Sequence, residues 1–150
     1  MPSIALLNPP HRSIGSRVPG ELLPPLGLLR IGGPLIDAGH NVRLINADLT
    51  NMGLPEIVAT LAADPPDILM LGHSGSTSAH PTCLQVTAAV RAALPGVTIV
   101  YGGVYPSYHW QDILAEAPQI DVIVRGEGEA TVVTLAAALA AGAALDTIPG

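Results

Sequence analysis

Five short, largely apolar runs alternate with helical patterns along this chain of 150 residues, and this alternation limits the fold more than any other feature. The runs cover residues 3–7, 41–47, 67–71, 97–101 and 121–124. Helices are expected from residue 25 to a stop at Gly39, and over residues 54–63, 81–94, 107–117 and 129–141. Strands that are apolar throughout are typical of a parallel sheet covered by helices on both faces. The sequence therefore predicts an α/β fold, a doubly wound, flavodoxin-like (Rossmann-like) sheet of five parallel strands in the order 2-1-3-4-5.

Composition indicates a single domain without a nucleic-acid partner. A hydrophobic content of 49% over 150 residues supports one core of ordinary size, so residues 1–150 are expected to form one domain. The chain has six arginines, no lysine and a net charge of −6. This charge excludes the basic footprint of a protein that binds the phosphate backbone of nucleic acids.

A lone cysteine and the amino-terminal sequence suggest the cellular setting. Cys83 has no partner for a disulfide within the chain and cannot hold an iron–sulfur cluster alone, so a reducing compartment is expected. The chain starts without a basic segment, and no apolar run approaches the roughly 18 residues of a membrane span. We therefore expect a cytoplasmic protein without a membrane span.

Glycine-rich or polar turns follow four of the predicted strands. Asn8 follows the first strand, residues 72–78 follow the third, Gly102 and Gly103 follow the fourth, and residues 125–129 follow the fifth. In open parallel sheets, ligands bind beyond the carboxyl ends of the strands, where glycine lets the backbone approach them closely. These turns are therefore expected to line one ligand site.

Several common ligands of such sheets are excluded by the residues at the strand ends. The absence of lysine rules out the phosphate-binding loop of nucleotide hydrolases, and the first strand lacks the glycine fingerprint of dinucleotide-binding proteins. Residues 126–131 imitate that fingerprint, but after the fifth strand and with acids where a pyrophosphate would lie.

The loop after the first strand, over residues 9–24, is longer than the usual two to six residues or so of such connections. This length suggests a functional or partner-contacting segment.

Six segments together resemble a known family. They are Asn-Pro-Pro at 8–10, Pro-Pro-Leu-Gly-Leu-Leu at 24–29, Ala-Gly-His at 38–40, Asp-Ile at 67–68, Gly-Gly at 102–103 and Val-Arg-Gly-Glu-Gly-Glu at 124–129. In order and spacing they resemble the N-terminal cobalamin-binding domain of cobalamin-dependent radical S-adenosylmethionine enzymes. Within that family the chain is similar to the group of the anaerobic magnesium-protoporphyrin IX monomethyl ester cyclase.

The resemblance implies a larger parent enzyme. Family members continue into a C-terminal radical domain whose CxxxCxxC motif binds a 4Fe-4S cluster and S-adenosylmethionine. This chain ends before that point, so we expect it to be an N-terminal fragment whose partners are cobalamin and that radical domain. Its expected role is to hold cobalamin for methyl transfer or cyclase-type chemistry, and no catalytic residue is expected within the chain itself.

The resemblance also implies a set of cofactor-binding residues. Gly102 and Gly103 would let the nucleotide tail of cobalamin pass between the fourth and fifth strands. Hydroxyls of residues 74–78 would face the corrin amides, although Ser76 stands where related domains have leucine. Glu127 would accept amide hydrogens at the rim. The predicted set is Asn8, His73, Ser74, Gly75, Ser76, Thr77, Gly102, Gly103, Val104, Gly126, Glu127 and Gly128.

No protein ligand to the cobalt is expected. Domains that supply a histidine carry Asp-x-His-x-x-Gly after the first strand, but here Pro9 and Ile14 flank His11 at the key positions. The resemblance therefore implies that the benzimidazole base of cobalamin is displaced and that no histidine replaces it. His73, at the end of the third strand, is the one competing candidate.

Three alternatives stay open from the sequence. The chain could instead be a non-catalytic flavodoxin-like module that binds a flavin or a nucleotide phosphate through residues 74–78. Tyr105, Tyr108 and Trp110 could form either part of the core or a lid over the ligand. Cys83 could be a reactive thiol, but a small buried side chain is the more common case.

Overall fold

Parallel pairing joins the five strands in the predicted order. The computed structural model describes residues 1–10, 24–73 and 76–150, the side chain of Ser76 excepted. The strands are β1 (Ser3–Asn8), β2 (Asn41–Asn46), β3 (Ile68–Gly72), β4 (Thr98–Gly102) and β5 (Val122–Val124). They form one sheet in the order β2-β1-β3-β4-β5. The predicted α/β, flavodoxin-like topology is confirmed.

Helices cover both faces of this sheet. They are α1 (Leu26–Asp37), α2 (Leu54–Ala63), α3 (His80–Ala93), α4 (Val104–Glu116) and α5 (Glu129–Ala141), with a 3₁₀ turn at Ser76–Ala79. Leu28 and Leu35 of α1 share one buried cluster with Val132 and Leu135 of α5, on one face of the sheet. Helices α2, α3 and α4 bury their apolar residues in a second cluster on the opposite face. No helix within the described residues is long and apolar enough to cross a membrane.

Acidic residues fix the amino ends of two strands. The carboxylate of Asp67, just before β3, accepts hydrogen bonds from the backbone nitrogen and hydroxyl of Ser3 at 2.7 and 2.9 Å. The carboxylate of Asp121, just before β5, accepts one from the backbone nitrogen of Ile99 at 2.7 Å and pairs with Arg91 at 2.6 Å. These bonds set the strand register, because each one joins neighbouring strands at a single position.

Glycine ends α1 as predicted, whereas α4 begins earlier than the sequence pattern suggests. Gly39 has a φ of +88°, and its backbone nitrogen donates to the carbonyl of Ile36, so the helix closes with a left-handed glycine. Helix α4 starts at Val104 and not at Ser107, because the nitrogen of Ser107 already donates to the carbonyl of Gly103. His109 therefore lies inside α4, at a kink where its φ is −118° and its ψ is 22°.

Candidate functional site

The carboxyl edge of the sheet is hollow on the face covered by α1 and α5. Side chains alternate along a strand, so Gly72 and Gly102 follow Met70 and Val100 on this face. Gly72 pairs with Gly102 in the β3–β4 register, as Met70 pairs with Val100. The last row of the sheet thus has no side chains at β3 and β4. A cavity of about 400 Å³ opens at this edge, lined by both glycines.

The floor and walls of this cavity are apolar. They include Leu28, Ile31, Met70, Val100, Val124 and Val132. Helices α1 and α5 supply three of these side chains and the ends of the strands supply the others. A largely apolar lining with a small number of polar groups is typical of a site for a small molecule or a cofactor.

Most of the predicted site residues meet at this cavity. Its lining includes Asn8, His73, Gly102, Gly103, Val104, Gly126, Glu127 and Gly128. Thr77 is exposed in the 3₁₀ turn and is not part of the lining. Ser74 and Gly75 lie outside the described residues, as does the side chain of Ser76. The assignment of all these residues to a cofactor stays a prediction.

Three glycines shape the rim of the cavity. Gly103 has a φ of +114° and Gly126 a φ of +67°, values that other residues rarely adopt. Gly128 has an ordinary φ of −88°, but an added Cβ would lie 3.4 Å from side-chain atoms of both Ile31 and Val124. Ile31 and Val124 also line the cavity, so a side chain at position 128 would narrow it.

Ser107 joins the two glycine turns of the rim. Its hydroxyl donates to the carbonyl of Gly103 at 2.7 Å and accepts a hydrogen bond from the backbone nitrogen of Gly126 at 2.9 Å. One side chain of α4 therefore fixes the distance between the turn after β4 and the turn after β5. Ser107 is not among the residues predicted from the sequence, because a serine in the first turn of a helix is usually only a local cap.

Asn8 is held at the opposite side of the cavity by the neighbouring strand. Only 4% of Asn8 is exposed, and its amide nitrogen donates to the side-chain oxygen of Asn46 at 2.8 Å. That oxygen also accepts a hydrogen bond from the backbone nitrogen of Leu49. The Asn8 amide thus has a fixed orientation at the end of β1.

Three charged side chains lie together at the mouth of the cavity. Arg30 of α1 pairs with Glu129 of α5, with 2.6 Å between the guanidinium Nη2 and a carboxylate oxygen. The same nitrogen lies 3.9 Å from a carboxylate oxygen of Glu127. All three residues line the cavity. Arg30 is not among the residues predicted from the sequence, since only the packing of α1 against α5 brings it to the strand ends.

The aromatic residues lie on the other face of the sheet. Tyr105 and Trp110 pack against the core cluster beneath α3 and α4, and Arg125 lies over the Trp110 ring at 5.2 Å from its centroid. Tyr108 is 81% exposed. None of the three aromatic side chains lines the cavity. Core packing therefore describes Tyr105 and Trp110 better than a lid.

Cys83 has no sign of reactivity. Its side chain is fully buried, and burial raises the pKa of the thiol to about 11. Burial also raises the pKa of the neighbouring Tyr101 hydroxyl, which lies 3.3 Å from Nδ1 of His80. Within the described residues, no group of three histidine, cysteine, aspartate or glutamate side chains could hold a metal ion.

Comparison with known sequences identifies several relatives. The sequence profile of the B12 binding domain matches residues 13–136. The anaerobic magnesium-protoporphyrin IX monomethyl ester cyclase of Synechocystis sp. is 60% identical over 136 residues, which cover 91% of this chain and 27% of that protein. An uncharacterised methyltransferase of Pyrococcus horikoshii is 32% identical over 147 residues, 98% of this chain and 31% of that protein. The chain thus spans less than a third of the length of either curated relative.

Solved structures share the fold. The cobalamin-dependent S-adenosylmethionine radical enzyme OxsB, with aqua-cobalamin and S-adenosylmethionine bound, has a TM-score of 0.82 at 20% identity, over 100% of this chain and 20% of that chain. The radical S-adenosylmethionine methyltransferase TsrM from Kitasatospora setae, with cobalamin and a 4Fe-4S cluster bound, has a TM-score of 0.80 at 19% identity, over 98% of this chain and 26% of that chain.

Proposed function

Because this chain belongs to the B12-binding domain family, we propose that it holds cobalamin for a radical S-adenosylmethionine reaction carried out by another part of its parent protein. The observation that carries the proposal is the hollow carboxyl edge of the sheet, where Gly72 and Gly102 leave an apolar cavity. Both glycines lie within the residues that match the family. When bound, cobalamin supplies a cobalt ion that can carry a methyl group or take part in radical chemistry.

The size of the cavity suits one part of the cofactor. Sites for drug-sized ligands enclose roughly 300 to 1,000 Å³. At about 400 Å³ the cavity suits the nucleotide tail, and the corrin ring would lie outside it, over the carboxyl edge of the sheet. The flat benzimidazole matches the apolar floor. A Cβ at Gly128 would fill part of this space, which supports a role for that glycine in the fit.

The residues around the cavity then form two groups, one beside the nucleotide tail and one beside the corrin ring. Gly102, Gly103 and Val104 border the path of the tail, and Gly126, Glu127 and Gly128 border its other side. Asn8 and His73 lie where the corrin ring would meet the strand ends. We assign Ser74, Gly75, Ser76 and Thr77 to the ring edge, where hydroxyls and backbone groups would contact the corrin amides. These roles are to bind, orient and bury the cofactor.

We further propose that the base of cobalamin is displaced from the cobalt. A base held in the apolar cavity would lie away from the lower face of the ring. The motif that supplies a histidine in its place is broken around His11. His73 is the competing ligand, because it is the one histidine among the described residues that line the cavity.

The parent enzyme is proposed from the relatives. Since the chain spans 27% of the Synechocystis cyclase, we propose that residues 1–150 form the cobalamin domain of a longer protein. That protein would add a C-terminal radical domain with a 4Fe-4S cluster and S-adenosylmethionine, for methyl transfer or cyclase-type chemistry. A single, buried cysteine supports a cytoplasmic location.

A titration with aquacobalamin tests the proposal. The chain should bind it with a change in the visible corrin spectrum and should not bind flavin mononucleotide under the same conditions. The variant Gly102→Val should weaken cobalamin binding about tenfold or more, because its side chain would occupy the cavity. Position 102 has room for a Cβ, whose nearest neighbour is the Val124 carbonyl oxygen at 3.5 Å, so the fold should survive.

The matched control is Gly96→Val. Gly96 has no atom within 4 Å of an added Cβ and lies in the turn before β4, away from the cavity. This variant should bind aquacobalamin like the unchanged chain, and circular dichroism checks the fold of both. Binding of flavin mononucleotide without aquacobalamin would contradict the proposal and favour the flavodoxin-like alternative.

A further inference from the structure

The mouth of the cavity carries one cation and two acids. Arg30, Glu127 and Glu129 all line it, and Arg30 is the one cationic side chain among the described lining residues. The other described arginines lie elsewhere and have their own partners: Arg43 pairs with Asp64, Arg91 pairs with Asp121, and Arg125 lies over Trp110. Among the described residues, Arg30 therefore supplies the positive charge at the mouth.

The geometry of Arg30 suits a second acceptor. Both recorded ion pairs engage Nη2, on one edge of the guanidinium. The group is planar and carries further N–H donors on Nη1 and Nε, each of which can donate to a phosphate oxygen. The Arg30 side chain is 68% exposed, so the donors on Nη1 can face the mouth while Nη2 keeps its contact with Glu129.

The two glutamates make such a cation necessary for an anionic ligand. The side chain of Glu129 is 27% exposed and already neutralised at 2.6 Å by Arg30, whereas that of Glu127 is 86% exposed and free to move into solvent. Without Arg30, a phosphate entering the mouth would meet two uncompensated carboxylates, and like charges at short range oppose binding.

We propose that Arg30 recognises the phosphodiester of the cofactor's nucleotide tail, and that it makes the cavity prefer a corrinoid with an intact tail over one without. This inference rests on the proposed function. With the benzimidazole in the apolar depth, the phosphodiester of the tail would reach the mouth, beside Arg30. Arg30 is then a specificity-determining residue for the corrinoid.

Two corrinoids and two variants test the inference. Aquacobalamin carries the nucleotide tail, and dicyanocobinamide has the corrin ring without it. Arg30→Met should weaken binding of aquacobalamin about tenfold, which corresponds to a loss of about 1.4 kcal/mol, and should leave binding of dicyanocobinamide within about twofold. The fold should survive, because exposed ion pairs contribute little to stability.

Arg125→Met is the matched control, since it removes the same charge from an exposed arginine that does not line the cavity. It should change binding of neither corrinoid. Equal losses for both corrinoids in Arg30→Met, an equal loss in Arg125→Met, or no change for aquacobalamin in Arg30→Met would each overturn the inference and leave the proposed function standing. If the unchanged chain bound neither corrinoid, the proposed function would fail and the inference with it.

Discussion

At the residue scale, two glycines in register account for the cavity. An added Cβ on Gly72 would lie 2.8 Å from the carbonyl oxygen of Gly102, a backbone atom that cannot turn away. An added Cβ on Gly102 would meet Val124 at ordinary contact distances. The two glycines therefore have different structural roles. Gly72 lets β3 approach β4, while Gly102 keeps the space between the sheet and the helices open.

Gly72→Ala is predicted to destabilise the fold. The overpacked backbone contact should lower the free energy of unfolding by about 1–3 kcal/mol, measured by urea denaturation followed with circular dichroism. Gly27→Ala on α1 is the control, because nothing lies within 4 Å of its added Cβ and no proline follows it. That variant should raise stability by about 0.5–1 kcal/mol, as alanine favours helix. Equal stability of both variants would contradict the prediction.

His73 tests the proposal for the lower face of the cobalt. We expect electron paramagnetic resonance of the cobalt(II) form bound to the chain to show no threefold splitting by a coordinated nitrogen. The physical reason is that, in the proposed arrangement, the base would be displaced and no imidazole would replace it. His11→Ala and His73→Ala should leave the spectrum unchanged. A threefold splitting that persists in His11→Ala and vanishes in His73→Ala would make His73 the ligand.

At the scale of elements, a stack of rings joins α3 to α4. His80, the first residue of α3, stacks on Tyr105 of α4 with 4.4 Å between ring centroids, and Tyr105 stacks on His109 at 4.3 Å. Burial, and the proximity of His109, lower the pKa of His80 in the folded protein, and Glu116 opposes the shift. The folded state, in which the two helices are in contact, therefore favours a neutral imidazole at His80.

This contact predicts a pH dependence of stability. The pKa of His80 is lower in the folded than in the unfolded chain, so the unfolded chain binds more protons below about pH 6.5. The contribution of the neutral His80 imidazole to the free energy of unfolding is complete above that pH. It is lost as the pH falls through the pKa of His80 in the folded protein. Unfolding by urea from about pH 7.5 to about pH 5.5 should show this loss, and His80→Gln should reduce its slope. Equal slopes in both proteins would argue against the prediction.

At the scale of the whole molecule, the sequence predicts the strand order and the edge of the sheet at which the cavity opens. Both follow from local features, namely apolar runs, glycine stops and strand ends. Helix α4 begins earlier than predicted, since the turn after Gly103 forms without a break. The contributions of Gly72, Arg30 and Ser107 were not predictable from local patterns. Gly72 matters through its register with β4, Arg30 through the packing of α1 on α5, and Ser107 through two turns that are distant in sequence.

The isolated chain is predicted to have no turnover of its own. It has one cysteine, fully buried, and thus lacks the thiolates that an iron–sulfur cluster needs. Incubated with S-adenosylmethionine and a strong reductant, it should yield no cleavage product above a control without protein, measured by chromatography. Cleavage by this chain alone, retained after removal of trace metals, would be the contrary result.

The glycines at the carboxyl edge also have a consequence for how such a domain changes over generations. The cavity beside Gly102 and Gly128 exists because both positions lack a side chain. Glycine codons reach alanine or valine by a single nucleotide change, so drift without selection would close the cavity quickly. Descendants that had lost their need for a ligand would then retain the same sheet and helices around a filled edge, and glycine at both positions would mark lineages in which the ligand is still in use.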